Sequence, residues 1–254
     1  MIGRPGRLPS CALLVLCCAL PAEAAHILVD VGHTPAQAGA QGASGRAEYL
    51  YNRDLAAALA RALAAMGDRV TRIIPGDDGI ALAKRPAVAP NADLFVSIHH
   101  DSIQQQYIDA GRQGEFAGYA VFVSARNVQA MRSLQCAQAI GEALRDAGER
   151  PSAYHAQPIA GENRPFLDRR FGVHRYDDLV VLHSASMPAV LIEAGVIVNP
   201  TEEARLAQPN TIRKLAAAIA QGAHACLDQG HDDAKPAMGV RHPRGSSPRP
   251  FPPP

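Results

Sequence analysis

Three side chains able to do chemistry each come directly after a short run of Val, Ile and Leu. His33 follows ILVDVG, His99 follows LFVSI, and Glu193 follows AVLI. A fourth, Glu48, stands at the start of a long segment with helical spacing of its leucines. Two imidazoles and two carboxylates are groups that bind metal ions and transfer protons near neutral pH.

The apolar runs indicate how these side chains could meet. Short Val/Ile/Leu-rich runs predict buried strands of a mostly parallel sheet. In open α/β sheets, ligands bind outside the carboxyl ends of the strands. We therefore expect His33, His99 and Glu193 to converge on one crevice. Glu48 joins them if the loop 39–45, which holds three glycines, turns the helix start toward the strand ends.

His33, Glu48 and His99 match the three protein ligands of an open catalytic zinc site. The imidazoles would bind as neutral bases. The positive end of its helix favours an ionised Glu48 carboxylate. Glu193 would then take a proton from the attacking water and pass it to the departing nitrogen. The residues thus predict a Zn²⁺ cofactor and a hydrolase.

Each residue also has a simpler explanation. A single His after a strand is usually a loop residue, and Glu48 alone could be a helix N-terminal charge. Glu193 is harder to explain that way, since a carboxylate ending an apolar strand needs a partner or a function. The spacing is not a compact metal signature such as HExxH. His100 competes with His99, which we favour because adjacent residues leave a strand in different directions.

The N-terminus has the pattern of an export signal. Arg4 and Arg7 precede the apolar stretch CALLVLCCAL, and small residues suited to cleavage follow at 22–25. This pattern predicts a signal peptide over residues 1–25 and secretion across the inner membrane, to the periplasm. A lipoprotein signal at Cys17 is less favoured, because Leu16 stands where a small residue is expected.

Composition divides the remainder into a catalytic domain, 26–230, and a tail. Residues 231–254 are rich in Pro, Gly, Ser and Arg, which predicts disorder. The domain itself is slightly acidic by formal charge, which argues against a nucleic-acid partner. No apolar run is long enough for a membrane span. Cys136 and Cys226 either pair in the exported chain or are two small core residues; the sequence leaves this open.

Alternation of strands and helices predicts an α/β fold. We expect a single domain with a mostly parallel or mixed sheet flanked by helices on both faces. Residues 101–118 and 148–178 are predicted to be mostly irregular. The predicted strands are 26–31, 69–74, 93–98, 119–123, 179–182 and 189–192, and the predicted helices are 48–66, 128–147 and 212–226, with a short one within 80–88.

Four stretches, in order along 26–226, extend the pattern to a known family. They are ILVDVGH (27–33), EYLYN (48–52), Arg85 with NADLFVSIH (91–99), and PAVLIEAGVIVNP (188–200). In these the chain resembles the zinc-dependent N-acetylmuramoyl-L-alanine amidases of the amidase 3 family. The resemblance implies that His33, Glu48 and His99 hold zinc and that Glu193 is the catalytic carboxylate. It also implies peptidoglycan as substrate, cut between the lactyl group of N-acetylmuramic acid and L-alanine.

Two other functions stay open: a zinc peptidase or deacylase acting on another amide, and an inactive wall-binding module. The intact set of four residues argues against the second. Some amidases of this kind carry a long helix that plugs the zinc site until a partner removes it. Residues 101–118 hold at most a short helix near 104–110, so we expect no full plug there, although an activator or recruiting protein remains a possible partner.

The loop 148–178 is a second candidate lid. Four arginines that cluster in it either contact the carboxylates of a stem peptide or form a solvated basic loop. They are Arg164, Arg169, Arg170 and Arg175.

Overall fold

The computed structural model describes residues 24–233, and side chains as far as residue 228. The predicted signal peptide up to residue 23 and the tail from residue 234 lie outside the described residues. The strands are β1 (His26–Val31), β2 (Arg69–Ile73), β3 (Leu94–Asp101), β4 (Ala120–Val123), β5 (Phe166–Asp168), β6 (Val173–Arg175) and β7 (Ala189–Val196). The α-helices are α1 (Glu48–Ala65), α2 (Gln105–Asp109), α3 (Ala130–Asp146), α4 (Val180–His183), α5 (Pro200–Leu206) and α6 (Pro209–Asp233).

The strands form one seven-stranded mixed sheet in the order β2-β1-β3-β7-β4-β6-β5. Strands β2, β1, β3 and β7 are parallel to one another. Strand β4 runs antiparallel to β7 and parallel to β6, and β5 runs antiparallel to β6. The four parallel strands form the half of the sheet that carries His33, His99 and Glu193.

Both faces of the sheet are buried. In β1, Ile27 and Val29 belong to a core shared with the long helices α1, α3 and α6. Leu28, which points to the opposite face, packs in a second core with Val181 and Leu182 of α4. Burial on both sides explains why the central strands have nearly continuous apolar sequences. The predicted α/β sheet with helices on both faces is confirmed.

Cys136 and Cys226 form a disulfide that joins α3 to α6, with 4.9 Å between their Cα atoms. Both residues are also fully buried in the core between these helices. Both alternatives left open by the sequence are therefore correct: the cysteines are small core residues, and they are paired.

The predicted strand at 179–182 is wrong. Residues Val180–His183 form the short helix α4 instead. An apolar run of four residues satisfies a buried strand or one buried helical turn equally well, so its periodicity does not distinguish them.

Two strands are longer than their apolar runs. Strand β3 continues to Asp101 and β7 to Val196, so His99 and Glu193 lie within strands and not beyond their ends. Backbone pairing accounts for the extension, since Glu193 lies opposite His99 on one side and Ala120 on the other. The segment 148–178, predicted to be mostly irregular, contains β5 and β6, which extend the sheet beyond β4.

Helix α5 was not predicted, and α6 is longer at both ends than the predicted 212–226, running three residues into the predicted tail. Between residues 24 and 233, no helix combines the length and apolar character needed to cross a membrane.

Candidate metal centre

His33 occupies a strained turn directly after β1. Its backbone has φ of +68°, in the left-handed region that side chains other than Gly seldom adopt. The buried guanidinium of Arg85 holds this turn, since Nη2 donates to the His33 carbonyl at 3.1 Å and Nη1 to that of Val31 at 3.1 Å. Arg85 is itself fixed by Asp30, 3.2 Å away. Strain of this kind is typical of functional sites.

Glu48 is the first residue of α1, and its carboxylate is held from three directions. It accepts hydrogen bonds from the backbone N–H of Ala40 at 3.1 Å and of His100 at 3.3 Å, and from Asn52 Nδ2 at 3.0 Å. The glycine-containing loop before the helix folds back on it, because Glu48 N donates to the Ala40 carbonyl at 2.8 Å. The loop thus turns the helix start toward the strands, as predicted.

His99 presents its Nδ1 to Glu48 while the other edge of its ring lies on Gly32. Any Cβ at Gly32 would overlap that ring, standing 2.6 Å from Cδ2. His99 Nδ1 lies 3.1 Å from Glu48 Oε1, and His33 Nε2 lies 2.9 Å from Glu48 Oε2. One ligand atom from each of His33, Glu48 and His99 lies within 4.8 Å of the others. The three residues singled out by the sequence therefore meet at one point.

The charge state of Glu48 suits a metal ligand. Burial alone would raise its pKa, but hydrogen bonding with His33 and His99 holds the pKa of this carboxyl well below its usual range. An ionised carboxylate and two imidazole nitrogens form the N and O donor set that zinc accepts from three protein ligands. The residues present therefore fit a zinc ion in type, number and proximity.

His100 faces away from this cluster. Its ring is buried, and Nδ1 lies 2.8 Å from Asn52 Oδ1. Burial lowers the pKa of His100 to about 3, so it stays neutral. Asn52 contacts both Glu48 and His100, and the second histidine therefore supports the cluster from behind through Asn52.

Glu193 lies on β7 directly opposite His99 of β3. Its Oε2 is buried and has no hydrogen-bond partner among the described residues. Burial raises the pKa of Glu193 well above its usual range, and the nearby carboxylates of Asp101 and Glu48 raise it further. A carboxyl group that is poorly solvated and readily protonated next to a donor cluster can act as a general acid and base.

The sequence analysis missed a buried charged triad beside Glu193. His155 Nε2 lies 2.6 Å from Asp101 Oδ2, and His155 Nδ1 lies 2.8 Å from Glu162 Oε2. Burial alone would lower the pKa of His155, but the two carboxylates raise it to about 10. Asp101 was detectable, because it follows His99 by two residues on one strand. Nothing in the segment 148–178 marks His155.

Two cavities adjoin the centre. The larger, about 420 Å³, is lined by His33, His99, Arg85 and residues of 77–82 and 179–181. The smaller, about 180 Å³, is lined by Glu193, His155 and Arg164, among others. Leu179 and Leu191 line both, so the two cavities are neighbours. A chain-like substrate could therefore extend from one cavity into the other.

The segment between β3 and β4 leaves room for such a substrate. It contains the five-residue helix α2 and one short 3-10 turn, Gln113–Glu115. Within this described segment there is no long helix of the kind that plugs the site in some amidases.

A mixed α/β sheet that brings two imidazoles and a carboxylate together beside a poorly solvated glutamate is the arrangement of a hydrolase with a candidate metal site. Comparison with known families agrees: residues 27–225 match the model of the Amidase_3 family, described as N-acetylmuramoyl-L-alanine amidase. The chain belongs to this family of peptidoglycan hydrolases.

Individual relatives are similar over most of the chain. N-acetylmuramoyl-L-alanine amidase AmiA of Salmonella typhimurium strain LT2 is 27% identical over 219 residues, covering 77% of this chain and 74% of the relative. The crystal structure of Ami1 from Mycobacterium smegmatis superposes with a TM-score of 0.66 at 23% identity, covering 81% of this chain and 97% of that one. The CwlD amidase of Clostridioides difficile, solved in complex with the GerS lipoprotein, has a TM-score of 0.61 at 21% identity over 81% and 99% of the two chains.

Proposed function

We propose that this chain is a zinc-dependent N-acetylmuramoyl-L-alanine amidase that cleaves the amide between the lactyl group of N-acetylmuramic acid and L-alanine in peptidoglycan. The observation that carries the proposal is the meeting of His33, Glu48 and His99 within 4.8 Å in a chain of the Amidase_3 family. Glu193, in register with His99, supplies the carboxylate that such a reaction needs.

The four residues divide the work between binding and proton transfer. His33, Glu48 and His99 would hold the zinc ion. When bound there, zinc supplies Lewis acidity, which activates water and polarises the substrate carbonyl. Glu193 would accept a proton on a carboxylate oxygen and return it to the departing L-alanine nitrogen. The raised pKa of Glu193 supports this role, because a carboxyl group that binds a proton more tightly than usual can both accept it and pass it on.

Product identity on purified peptidoglycan tests the reaction. We expect mass spectrometry to find released stem peptides that begin with a free L-alanine amino group, together with intact glycan. Cuts only within the peptide would instead show a peptidase, and no release by a zinc-loaded, folded protein would overturn the proposed activity for the enzyme acting without an activator. Glu193→Gln should lower kcat by roughly two to four orders of magnitude while zinc content is retained. Glu142→Gln, an exposed change on α3, is the control and should leave kcat unchanged.

Metal content tests the ligand set separately. His33→Ala should lose bound zinc, as measured by elemental analysis after dialysis, and should unfold at a lower temperature than the zinc-loaded parent, because metal bound to the native state stabilises it. His100→Ala is the informative comparison, since its ring faces Asn52 and not the cluster. Stoichiometric zinc in His33→Ala would exclude His33 as a ligand.

Location and partners follow from the same proposal. A signal peptide at 1–25 would deliver the enzyme to the periplasm, where its substrate is accessible. The disulfide Cys136–Cys226 supports export, because such bonds persist in oxidising compartments. The CwlD amidase assembles with a lipoprotein, and we propose an activator or recruiting protein here as well.

A further inference from the structure

The smaller cavity beside Glu193 contains a basic group that the reaction does not use. Its volume is about 180 Å³, enough for a small polar substituent of a substrate but not for a sugar ring and peptide together. Arg164 lines this cavity with Glu193, His155 and Glu162. A guanidinium and the proposed catalytic carboxylate therefore face the same enclosed space.

Arg164 is positioned by its neighbours without being neutralised by them. Nη1 donates to the carbonyl of Glu162 at 2.9 Å and Nη2 to that of Gly161 at 3.0 Å. The guanidinium lies 3.8 Å from the centre of the Tyr176 ring. Its Nε is buried and has no hydrogen-bond partner among the described residues. No carboxylate of residues 24–228 lies within 4.0 Å of it.

The other acidic and histidine side chains in the cavity wall are His155, Glu162 and Glu193. The carboxylate of Glu162, together with Asp101 behind the wall, contacts the imidazole of His155, at 2.8 and 2.6 Å. Burial alone would raise the pKa of Glu162, but its hydrogen bond with His155 lowers it, and the charge of nearby Arg164 adds to this lowering. The guanidinium nevertheless has no carboxylate partner within 4.0 Å among residues 24–228, so its outer N–H groups can still bind one from a ligand. A rigid guanidinium that is partly desolvated and stacked on an aromatic ring is well suited to a carboxylate.

The other three arginines of the cluster in the segment 148–178 are engaged elsewhere. Arg175 pairs with Asp177 at 2.6 Å. The guanidinium of Arg169 lies 4.5 Å from the centre of the Phe166 ring, and that of Arg170 lies 4.9 Å from the centre of the Phe171 ring. Arg164 alone of the four lines the cavity that contains Glu193.

We propose that Arg164 determines specificity by binding the free carboxylate of the second stem-peptide residue. This inference rests on the proposed function, which places the scissile amide and L-alanine at Glu193. The carboxyl group of L-alanine is not free, because it forms the peptide bond to the second residue of the stem. The first free carboxylate along the stem is therefore the α-carboxylate of D-glutamate, which is linked onward through its side chain. This carboxylate lies one residue from the scissile bond. A substrate with its scissile bond at Glu193 can therefore place it in the adjoining cavity.

Two muropeptides that differ in one group test the proposal. Both carry N-acetylmuramic acid, L-alanine and a D-glutamate whose side-chain carboxyl is linked to a third residue, and they differ only in whether the α-carboxyl of that D-glutamate is free (the acid) or amidated (the amide). The parent enzyme should favour the acid in kcat/KM by about 10- to 100-fold, the range of a hydrogen bond to a charged group. Arg164→Met should lose this preference, because its kcat/KM should fall much further on the acid than on the amide.

Arg170→Met is the matched control, because it removes a lid charge that lies over Phe171. It should retain the acid preference. Arg164→Lys keeps the positive charge but not the planar guanidinium with its two parallel N–H donors. Its preference for the acid should be smaller than the parent's but still present. This variant also decides the matter if Arg164→Met fails to fold, since an unchanged acid preference in Arg164→Lys would overturn the proposal.

Several results would overturn this inference alone. They are equal cleavage of acid and amide by the parent, an undiminished preference in Arg164→Met, or an equal loss of preference in Arg170→Met. A parent that cleaves neither muropeptide before L-alanine would instead overturn the proposed function. A purely structural role for Arg164 would slow both substrates together and leave their ratio unchanged.

Discussion

Two glutamates at one centre are tuned in opposite directions by their surroundings. Glu48 accepts hydrogen bonds from Asn52 and two backbone amides and lies against two imidazoles, so its pKa is held well below the usual range. Glu193 is half-buried and its Oε2 is buried without a hydrogen-bond partner among the described residues, so desolvation raises its pKa. Such divergence separates a permanently ionised ligand from a group that exchanges protons.

The burial of Glu193 has a consequence for stability in the metal-free protein. Because its folded pKa lies above the 4.5 of a free Glu side chain, the folded state binds this proton more tightly than the unfolded chain does. Its contribution to stability is complete below pH 4.5 and is lost as the pH rises through the folded pKa. Glutamine does not titrate, so a glutamine at this position would not cause this loss of stability.

We therefore expect Glu193→Gln to be more stable than the parent at about pH 8, by about 1.4 kcal/mol for each pH unit by which the folded pKa of Glu193 exceeds that of the unfolded chain, because glutamine stays neutral. The difference should shrink toward zero near pH 5. Thermal unfolding followed by circular dichroism in a chelator at the two pH values measures it. Glu142→Gln, exposed on α3, should show no such difference. A variant less stable than the parent at about pH 8 would contradict the assigned environment of Glu193.

At the scale of elements, the loop before α1 decides where Glu48 stands. It is anchored at a distance, because Ser44 donates from N and Oγ to the carboxylate of Glu203 at 2.8 and 2.7 Å. Tyr51 of α1 donates to the same carboxylate at 2.6 Å. Glu203 lies in the first turn of α5, the helix not foreseen from the sequence. One short helix thus fixes both the loop and the start of α1.

Two glycines in this loop give a matched pair of substitutions. Gly39 has φ of +75° and Gly45 has φ of +83°, so alanine is strained at both by about 1–2 kcal/mol. At Gly39 a Cβ would also overlap Glu48 Oε2 and lie 2.7 Å from the His33 ring, whereas at Gly45 nothing lies within 4 Å.

Gly39→Ala should therefore lower zinc affinity by about 10- to 100-fold, the usual effect of disturbing the groups that orient metal ligands. Gly45→Ala should lose similar stability and keep its zinc. Competition with a chromogenic chelator gives the affinities, and thermal melts of the metal-free forms give the stability. Equal zinc affinity in the two variants would mean that the Gly39 contacts do not position the ligands.

At the scale of the whole molecule, a disulfide joins α3 to α6, two of the long helices that cover one face of the sheet. The bond spans 90 residues of sequence, and neither helix carries His33, Glu48, His99 or Glu193. A cross-link over a long segment stabilises mainly by restricting the unfolded chain. We therefore expect it to contribute to stability without contributing to the chemistry.

Replacing both cysteines by alanine should lower the free energy of unfolding by about 2–4 kcal/mol. Zinc content and the specific activity of the folded protein should not change. Urea titration of parent and variant gives the difference, and dithiothreitol should destabilise the parent but not the variant. A large fall in kcat of the folded variant would show that the bridge also shapes the site.

The local spacing of apolar residues was sufficient to predict much of the architecture. The strand at 26–31 was predicted to the residue, and α1 and α3 were predicted to within two residues at each end. The runs are apolar because both faces of the sheet are buried, and the helices repeat leucine and alanine because one face packs on the sheet. His33, His99 and Glu193 were detectable for a related reason, since ionisable residues stand out where such runs stop, and Glu48 was detectable as a carboxylate at the start of a predicted helix.

Features that depend on strand pairing and on the packing of distant segments were decided only by the tertiary structure. Strands β3 and β7 extend through His99 and Glu193 because each supplies the other's backbone partners. The run at 179–182 became helix α4 because the second core buries Val181 and Leu182 without using their backbone in the sheet. His155 reaches Asp101 from 54 residues away, and Cys136 reaches Cys226 from 90. A sequence displays the period and polarity of its segments, which are local properties; which distant groups meet depends on how all the segments pack at once.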